Sequence, residues 1–497
     1  MTSAITLAFG GLVATYLFLR FFIYVTQDSK EPPAILTGIP FLGPIAGMIR
    51  EKSRFYIRLR GTYKLSIYTL RLPFMRMYVV NATELIPALQ KQWCTVSFDA
   101  FAADSGFIFG TSKKANELMH HDMTSDNGFM LSAFKYILPS LSPGPDLDDI
   151  NRRTIQILTN ETDKVVAQGS MRAGLQKWTR DIMVLCTSDA VWGPQNPYRD
   201  PVVAEAWKTF EAGFFTSPYY FHRGGHKTAS ALVRMRFEHH HDMHGSSIED
   251  VARGELGNTV ALLANSTTVA LWLLYHIFSD EQVLADVRGE VWALVSTKTE
   301  GGRQVNVVDL VKVKEACPIL ASTFQETLRC RALNPGPRLL LDDVSLDGGQ
   351  VLLKKGSMLM IPAPVQHTDE AAWGDDALHF DYLRFVPDKQ RRWPNRVAFR
   401  AFGGGHVLCP GRHFASTELM ALAALMVLQF DILPVANGGK WATPTWHNSP
   451  VQAGFPVIDD DIDVDIRPRD PSAKWRVEFS GSEKAMNIVS EYISGVV

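Results

Sequence analysis

The residues best suited to chemistry lie in one short segment, Phe402-Gly403-Gly404-Gly405-His406-Val407-Leu408-Cys409-Pro410-Gly411-Arg412-His413-Phe414-Ala415. Three consecutive glycines strip side chains from the stretch before Cys409. A backbone so bared can lie flat against a large planar group. Pro410 and Gly411 then turn the chain into an apolar helix bearing Leu419, Leu422, Leu425, Met426 and Leu428. Cys409 thus sits at a helix N-terminus, where amide N–H groups and the helix dipole favour a thiolate. A thiolate is a soft, electron-rich metal ligand. Phe402 is placed to cover its sulfur. The other four cysteines, Cys94, Cys186, Cys317 and Cys330, are scattered and form no CxxC pair. They read as small buried hydrophobes, which leaves no disulfide framework or zinc site and fits a reducing compartment.

Other elements must hold this loop. Glu326-Thr327-Leu328-Arg329 places an acid and a base three residues apart, on one helix face. Phe380-Asp381-Tyr382-Leu383-Arg384-Phe385 offers a second arginine. A long apolar helix over Gly257 to Phe278 carries Asn265-Ser266-Thr267-Thr268 at its middle. Polar residues at that depth argue against a membrane span.

The spacing FxxGxxxCxG is the haem-binding signature of the cytochrome P450 family, which the chain resembles from end to end. The resemblance implies haem with Cys409 as axial ligand to the iron, and Phe402, Gly405 and Gly411 in the cofactor loop. It also implies a buried network of Glu326 and Arg329 (the family's ExxR), completed by Arg384 from the FxxxRF segment. The long helix would cross the distal face. There the family pattern AGx(D/E)TT is best matched by Ala261-Leu262-Leu263-Ala264-Asn265-Ser266, with Ala264 at the acid position and Asn265 at the threonine. A register two residues later puts Ser266 and Thr267 at those positions. Ala264-Asn265 followed by Trp272 is similar to the branch containing cholesterol 7α-hydroxylase and prostacyclin synthase, which includes both oxygenases and an isomerase. Val407 departs from the Arg or His that many members place on a haem propionate; His406 or Arg338 would serve instead. Asn151-Arg152-Arg153 lies near the region of a ring-edge arginine.

The N-terminus reads as an anchor. Ala4 to Leu19 is almost wholly apolar, and Arg20 is followed by Phe21-Phe22-Ile23-Tyr24-Val25. About 22 residues span roughly 30 Å of hydrocarbon as a helix. The stretch exceeds a typical cleaved signal and lacks a basic start. Arg20 and Lys30 follow it, which places the body in the cytosol. Pro32 and Pro33 make a stiff exit, and the apolar Gly38 to Pro44 segment is expected to hold an extended path docked on the body. Residues 1–30 are therefore anchor and exit, and 31–497 a catalytic domain.

The body reads as mainly α with small β-sheets (α+β), which with the anchor matches the fold that the resemblance implies. Strands are expected within Ser66 to Val80, at Arg338 to Leu341, Gln350 to Leu353 and Met358 to Ile361, and at Ile462 to Ile466; the stretch from 83 to 330 is expected to be mostly helical. No βαβ series appears, and Gly403-Gly404-Gly405 is not a dinucleotide fingerprint. A hydrophobic fraction of 46% and a charged fraction of 21% mark a globular chain, and a net charge of −2 gives no footprint for nucleic acid. Glu238-His239-His240-His241-Asp242-Met243-His244 lacks the glutamate of HExxH and reads as a solvated loop or helix end. Three sequons, at Asn81, Asn160 and Asn265, are expected to be unused. Substrate contacts are expected from Leu262 and Leu263, Ala332 to Pro337, Phe101 to Phe109, and Val451 to Phe455, an apolar set suited to a terpenoid, steroid or polyketide.

The resemblance implies a monooxygenase of lipophilic molecules in the endoplasmic reticulum membrane, reduced by an NADPH-dependent reductase, of the kind found in filamentous-fungal secondary metabolism. An isomerase or dehydratase acting on a peroxide, without a reductase, is the alternative that Ala264-Asn265 raises. A non-catalytic haem-binding membrane protein is the third.

Overall fold

The computed structural model describes residues 2–200, 202–203, 224–387, 395–450 and 453–480. The anchor helix, Thr2–Thr26, stands apart from the body, its apolar span exposed from Ile5 almost to its end. The body is helical at its centre. The cysteine helix, Arg412–Gln429, is buried on every side from Ser416 to Gln429, as expected of a helix apolar all round. It packs against the long helix, Ile248–Phe278, whose second half is buried from Val269 to Phe278. That burial makes it a core helix. It starts nine residues before the expected Gly257, because Ser247 caps it: its Oγ accepts from the Asp250 amide at 3.1 Å. It is also not uniform. Val260–Ala264 forms a π turn between two α segments, a local widening often found at functional sites.

Beside this core lies a five-stranded sheet in the order Ile67–Leu72, Met75–Val80, Met358–Met360, Pro337–Leu340, Val96–Ser97. The first two strands form a hairpin, Ile67 opposite Val80, while Met358–Met360 runs parallel to its neighbour with Met358 opposite Met77. Phe430–Pro434, Asp463–Pro468 and Met171–Gly174 make a second sheet.

Among the described residues between 83 and 330, four strands interrupt the helices: Val96–Ser97, Met171–Gly174, Ser296–Glu300 and Arg303–Asp309. The last two form a hairpin around Gly301-Gly302, and Ser296–Glu300 is exposed at every position, so no apolar alternation marks it. Val344–Leu346, paired with Val351–Leu353, is a further short strand outside the expected set.

The anchor's exit docks on the sheet. Thr69 N–H donates to Pro33 O at 2.9 Å and Ile35 N–H to Thr69 O at 3.0 Å. Buried Glu31 accepts from Tyr78 Oη at 2.9 Å and pairs with Arg76 at 3.1 Å. The next segment docks on the body through buried Pro40 and Pro44, as expected, but Ile39 and Leu42 are exposed, and from Leu42 to Glu51 the chain is helical rather than extended.

Candidate active site

Cys409 lies in the tight connection before the cysteine helix. Its amide donates to Phe402 O at 2.8 Å, closing the loop on itself. Gly403 takes φ +76°, and a Cβ there would lie 2.7 Å from Val407 O, so only glycine fits this bend. Burial pushes the Cys409 thiol up; the amides of Gly411 and Arg412, which hydrogen bond to it, and the Arg412 charge oppose that. These N–H groups, at the helix start, are the features that stabilise a thiolate.

A network behind the loop holds it. Arg329 grips Glu326 with two bonds, Nε to Oε2 at 2.7 Å and Nη2 to Oε1 at 2.6 Å, and both residues are buried. Arg384 Nε adds a bond to Glu326 Oε1 at 3.1 Å and its Nη2 pairs with Asp376 at 3.0 Å. Such bidentate contacts are the strong form of this pair. The network reaches the cysteine loop through His367. Its carbonyl accepts from Arg329 Nη1 at 2.7 Å, and its Nε2 accepts from the Arg400 amide at 2.7 Å. Burial, then the nearby Arg329 charge, pushes the His367 pKa down to about 3, so the ring is neutral and free to accept. His367 and Arg400 form the link that sequence reasoning missed.

Cys409 faces a cavity of about 500 Å³. Phe402, Gly403 and Gly411 share its side, and Ala261, Leu262, Asn265 and Ser266 of the long helix form the opposite wall. Ala264 and Thr267 are not on that wall. The Thr267 hydroxyl donates to Leu263 O at 2.9 Å, and Thr268 donates to Ala264 O at 3.1 Å, so both alcohols are spent inside the helix. Asn265 Oδ1 lies close to Gly454, where a Cβ would come within 2.4 Å of it and 2.7 Å of Asn334 Oδ1. Phe98, Phe101, Pro335, Pro337 and Phe455 complete a largely apolar lining.

Several expected pocket residues lie elsewhere. Leu263 is fully buried in the helix packing and is not on the wall. Of Ala332 to Pro337 only the part from Asn334 onward lines the cavity, and Phe109 packs against Gly257 instead. Val451 and Gln452 lie outside the described residues. Asn151, Arg152 and Arg153 do not reach the cavity; Arg153 pairs with Asp149 at 2.8 Å.

Arg338 and His406 lie at one edge. Arg338 is buried over the Phe98 ring, at 5.4 Å, and lines the cavity. His406 stacks on Trp93 at 4.1 Å and faces Asp99 at 3.3 Å. It lines a small side cavity of about 20 Å³ together with Gln90 and Gly404. Gly405 abuts the same glutamine, 3.0 Å from where its Cβ would stand.

The histidine segment ends a helix, one of the two forms expected of it, but its histidine rings are not free in solvent. Glu238–Met243 is a π turn in which His239 is buried against the Phe129 ring, and His240 and His244 pack on the same ring. Among the described residues no group of three metal-ligating side chains converges.

The family model named Cytochrome P450 matches residues 198–453. The chain is 30% identical over 454 residues to "Cytochrome P450 monooxygenase nodJ" of Hypoxylon pulicicidum, covering 84% of this chain and 86% of that protein. It is 26% identical over 458 residues to a cytochrome P450 monooxygenase of Gibberella zeae, covering 84% of each. A shorter match, 25% identical over 216 residues, is to the 25-hydroxycholesterol 7-alpha-hydroxylase of Rattus norvegicus, covering 41% of this chain and 51% of that protein.

Proposed function

The chain belongs to the cytochrome P450 family of haem-thiolate oxidoreductases, and from that premise we propose that it is a monooxygenase inserting one oxygen atom of dioxygen into a lipophilic small molecule of secondary metabolism. Electrons come from NADPH through a separate reductase. The anchor helix holds the protein in the endoplasmic reticulum membrane as a single pass, with the body in the cytosol. The observation that carries the reading is Cys409 facing Asn265 and Ser266 across an apolar cavity. The assignment to secondary metabolism rests on likeness to filamentous-fungal family members; the two relatives matched over most of the chain come from fungi.

The residues present fit a haem. Gly411 lines the cavity, and a Cβ built on it meets no protein atom within 4 Å, so the backbone there is bare to the cavity. The sulfur of Cys409 opens on the same space. When bound, haem supplies the iron that activates dioxygen; its thiolate ligand assists that chemistry electronically. The chain does the rest. Cys409 gives the ligand, with the Gly411 and Arg412 amides holding its charge. Phe402 and Gly403 shape the loop beside it. Ala261 and Leu262 exclude water and favour an apolar substrate. Asn265 offers an amide that donates a hydrogen bond without acting as an acid. Ser266 supplies a hydroxyl on the same wall.

One observation favours a second reading. No aspartate or glutamate lines this cavity among the described residues, and the Thr267 and Thr268 hydroxyls are turned into the helix. A wall without an acid suits an isomerase or dehydratase acting on a peroxide, where no external dioxygen need be protonated. Comparing metabolites of cells carrying the intact protein or Cys409→Ala separates the two. The compound that accumulates in the mutant is expected to be one oxygen atom lighter than the lost product. Equal masses, or a difference of water, would replace the monooxygenase with the second reading.

A further inference from the structure

Two buried guanidinium groups meet at one edge of the cavity, and their charges are not balanced. Arg338 is 7% exposed and Arg400 is 4% exposed. The acid close enough to act on Arg338 is Asp99, itself buried and shared with His406 at 3.3 Å. Among the described residues no acid pairs with the Arg400 side chain. Its Nη1 is buried without an acceptor, although its backbone amide is engaged by His367. Burial pushes the Arg400 pKa down to about 10, and burial, then Arg400, pushes Arg338 down to about 9. A second donor waits beside it, for Gln90 Nε2 is also buried with no acceptor. Both crowd the same backbone point: a Cβ on Gly404 would lie 2.4 Å from Arg400 Nη1 and 3.0 Å from Gln90 Nε2. Leaving a charge buried and unpaired is strongly unfavourable, so a site built this way calls for an anion.

We propose that Arg400, with Gln90 beside it, binds a carboxylate, and that this carboxylate is a propionate of the haem. The inference rests on the haem-thiolate reading. Arg400 lines the cavity that Cys409 faces, and Val407, which also lines it, brings no charge to that wall. Planar guanidinium and carboxylate match in a two-bond fork, which an ammonium cannot reproduce. The role expected of His406 or Arg338 thus passes in the main to Arg400, because His406 is committed to Trp93 and Asp99, and Arg338 Nη1 donates to the neighbouring Pro337 carbonyl at 2.6 Å.

The test is haem retention in the full chain, read as the rate of transfer to excess apomyoglobin, with the spectrum of the reduced, carbon-monoxide-bound protein as control. Arg400→Gln should release haem about tenfold faster than the parent, the effect of one charge-assisted hydrogen bond, while keeping the thiolate spectrum. Haem dimethyl ester, whose carboxylates are blocked, should leave parent and variant at equal rates. Should Arg400→Gln not fold, Gly404→Ala displaces the same guanidinium and carries both expectations. Release at the parent rate would overturn the proposal, as would a variant that keeps haem but loses spectral binding of a fatty acid, for then the carboxylate belongs to a substrate. A parent chain without the thiolate spectrum sinks the haem-thiolate reading instead.

Discussion

Glu326 receives four donors: Arg329, Arg384, the Asp381 amide at 3.0 Å and the Cys330 thiol at 3.6 Å. Its carboxylate is wholly buried, so its charge is held by these partners alone. Replacing it with alanine leaves Arg329 buried and unpaired; Glu326→Ala should destabilise by about 3–5 kcal/mol and lower the fraction of purified protein that holds haem, checked by thermal unfolding and haem content. On the distal wall the same logic separates neighbours. Thr267 gives its hydroxyl hydrogen to Leu263 O, whereas Asn265 faces the cavity. Thr267→Val should therefore leave the ratio of product to NADPH consumed unchanged, and Asn265→Thr should shift it severalfold without altering haem content. An effect from Thr267→Val as large as that from Asn265→Thr would mean the wall is misassigned. Cys409, Glu326, Arg329 and Arg384 were legible because each lies in a short spacing with its own physical reading. Arg400 was not. Its significance is a missing counter-ion, a property of space that no local spacing encodes, and its tie to His367 joins residues 33 apart.

A helical turn can carry a pH dependence, and the π turn at Glu238–Met243 does. Ser132 gives its hydrogen to Gly128 O at 2.7 Å, so its oxygen can only accept from the histidines. His239 and His244 then donate through Nε2, at 2.7 and 3.3 Å. With its proton on Nε2, His239 accepts at Nδ1 from His240 Nδ1 at 2.8 Å. Donating at one nitrogen and accepting at the other, His239 has no room for a second proton. Burial, then His244, pushes His239 down to about 4; burial, then His239, pushes His240 down to about 3. Both lie below the ordinary histidine value, so the unfolded chain takes up protons first as pH falls. The stability they contribute is whole above about pH 6.5 and is lost on the way down to about pH 4. The thermal midpoint should fall over that window, and His239→Phe should make the fall shallower, as scanning fluorimetry at each pH would show. A variant falling as steeply as the parent would assign the acid lability to His367 and His413, also pushed down to about 3. Periodicity marked this stretch as polar because it counts residue types. Phe129, distant in sequence, supplies the apolar face on which His239, His240 and His244 pack, and His239 is buried there. The helices of the core were legible for the converse reason, since their apolar faces are continuous in sequence, while the exposed strand Ser296–Glu300 carries no such signal.

At the scale of the whole molecule, a chain in two environments must be joined where they meet. The candidate span, Ile5–Thr26, packs on almost nothing in the body until Ile23, which is buried. Past that point the contacts multiply. Arg71 donates to Thr26 Oγ1 at 3.0 Å and to Gln27 Oε1 at 3.1 Å; Arg76 donates to Thr26 O at 3.1 Å and pairs with Glu31. These arginines lie on the hairpin Ile67–Leu72 with Met75–Val80, whose second strand pairs with Met358–Met360 and so leads to Pro337–Leu340 beside the cavity. The exit is thus part of the folded body, and the span before it is separable. Removing residues 2–22 should free the protein from membranes in a flotation assay while leaving its thermal midpoint and its reduced, carbon-monoxide-bound spectrum unchanged. Removing residues 2–31 should do the same to membrane binding but also strip both arginines of these partners, with a loss of about 2–3 kcal/mol. Equal stability in the two truncations would mean that the clamp contributes nothing. A loss already complete in the shorter one would place the join between anchor and body within the span itself.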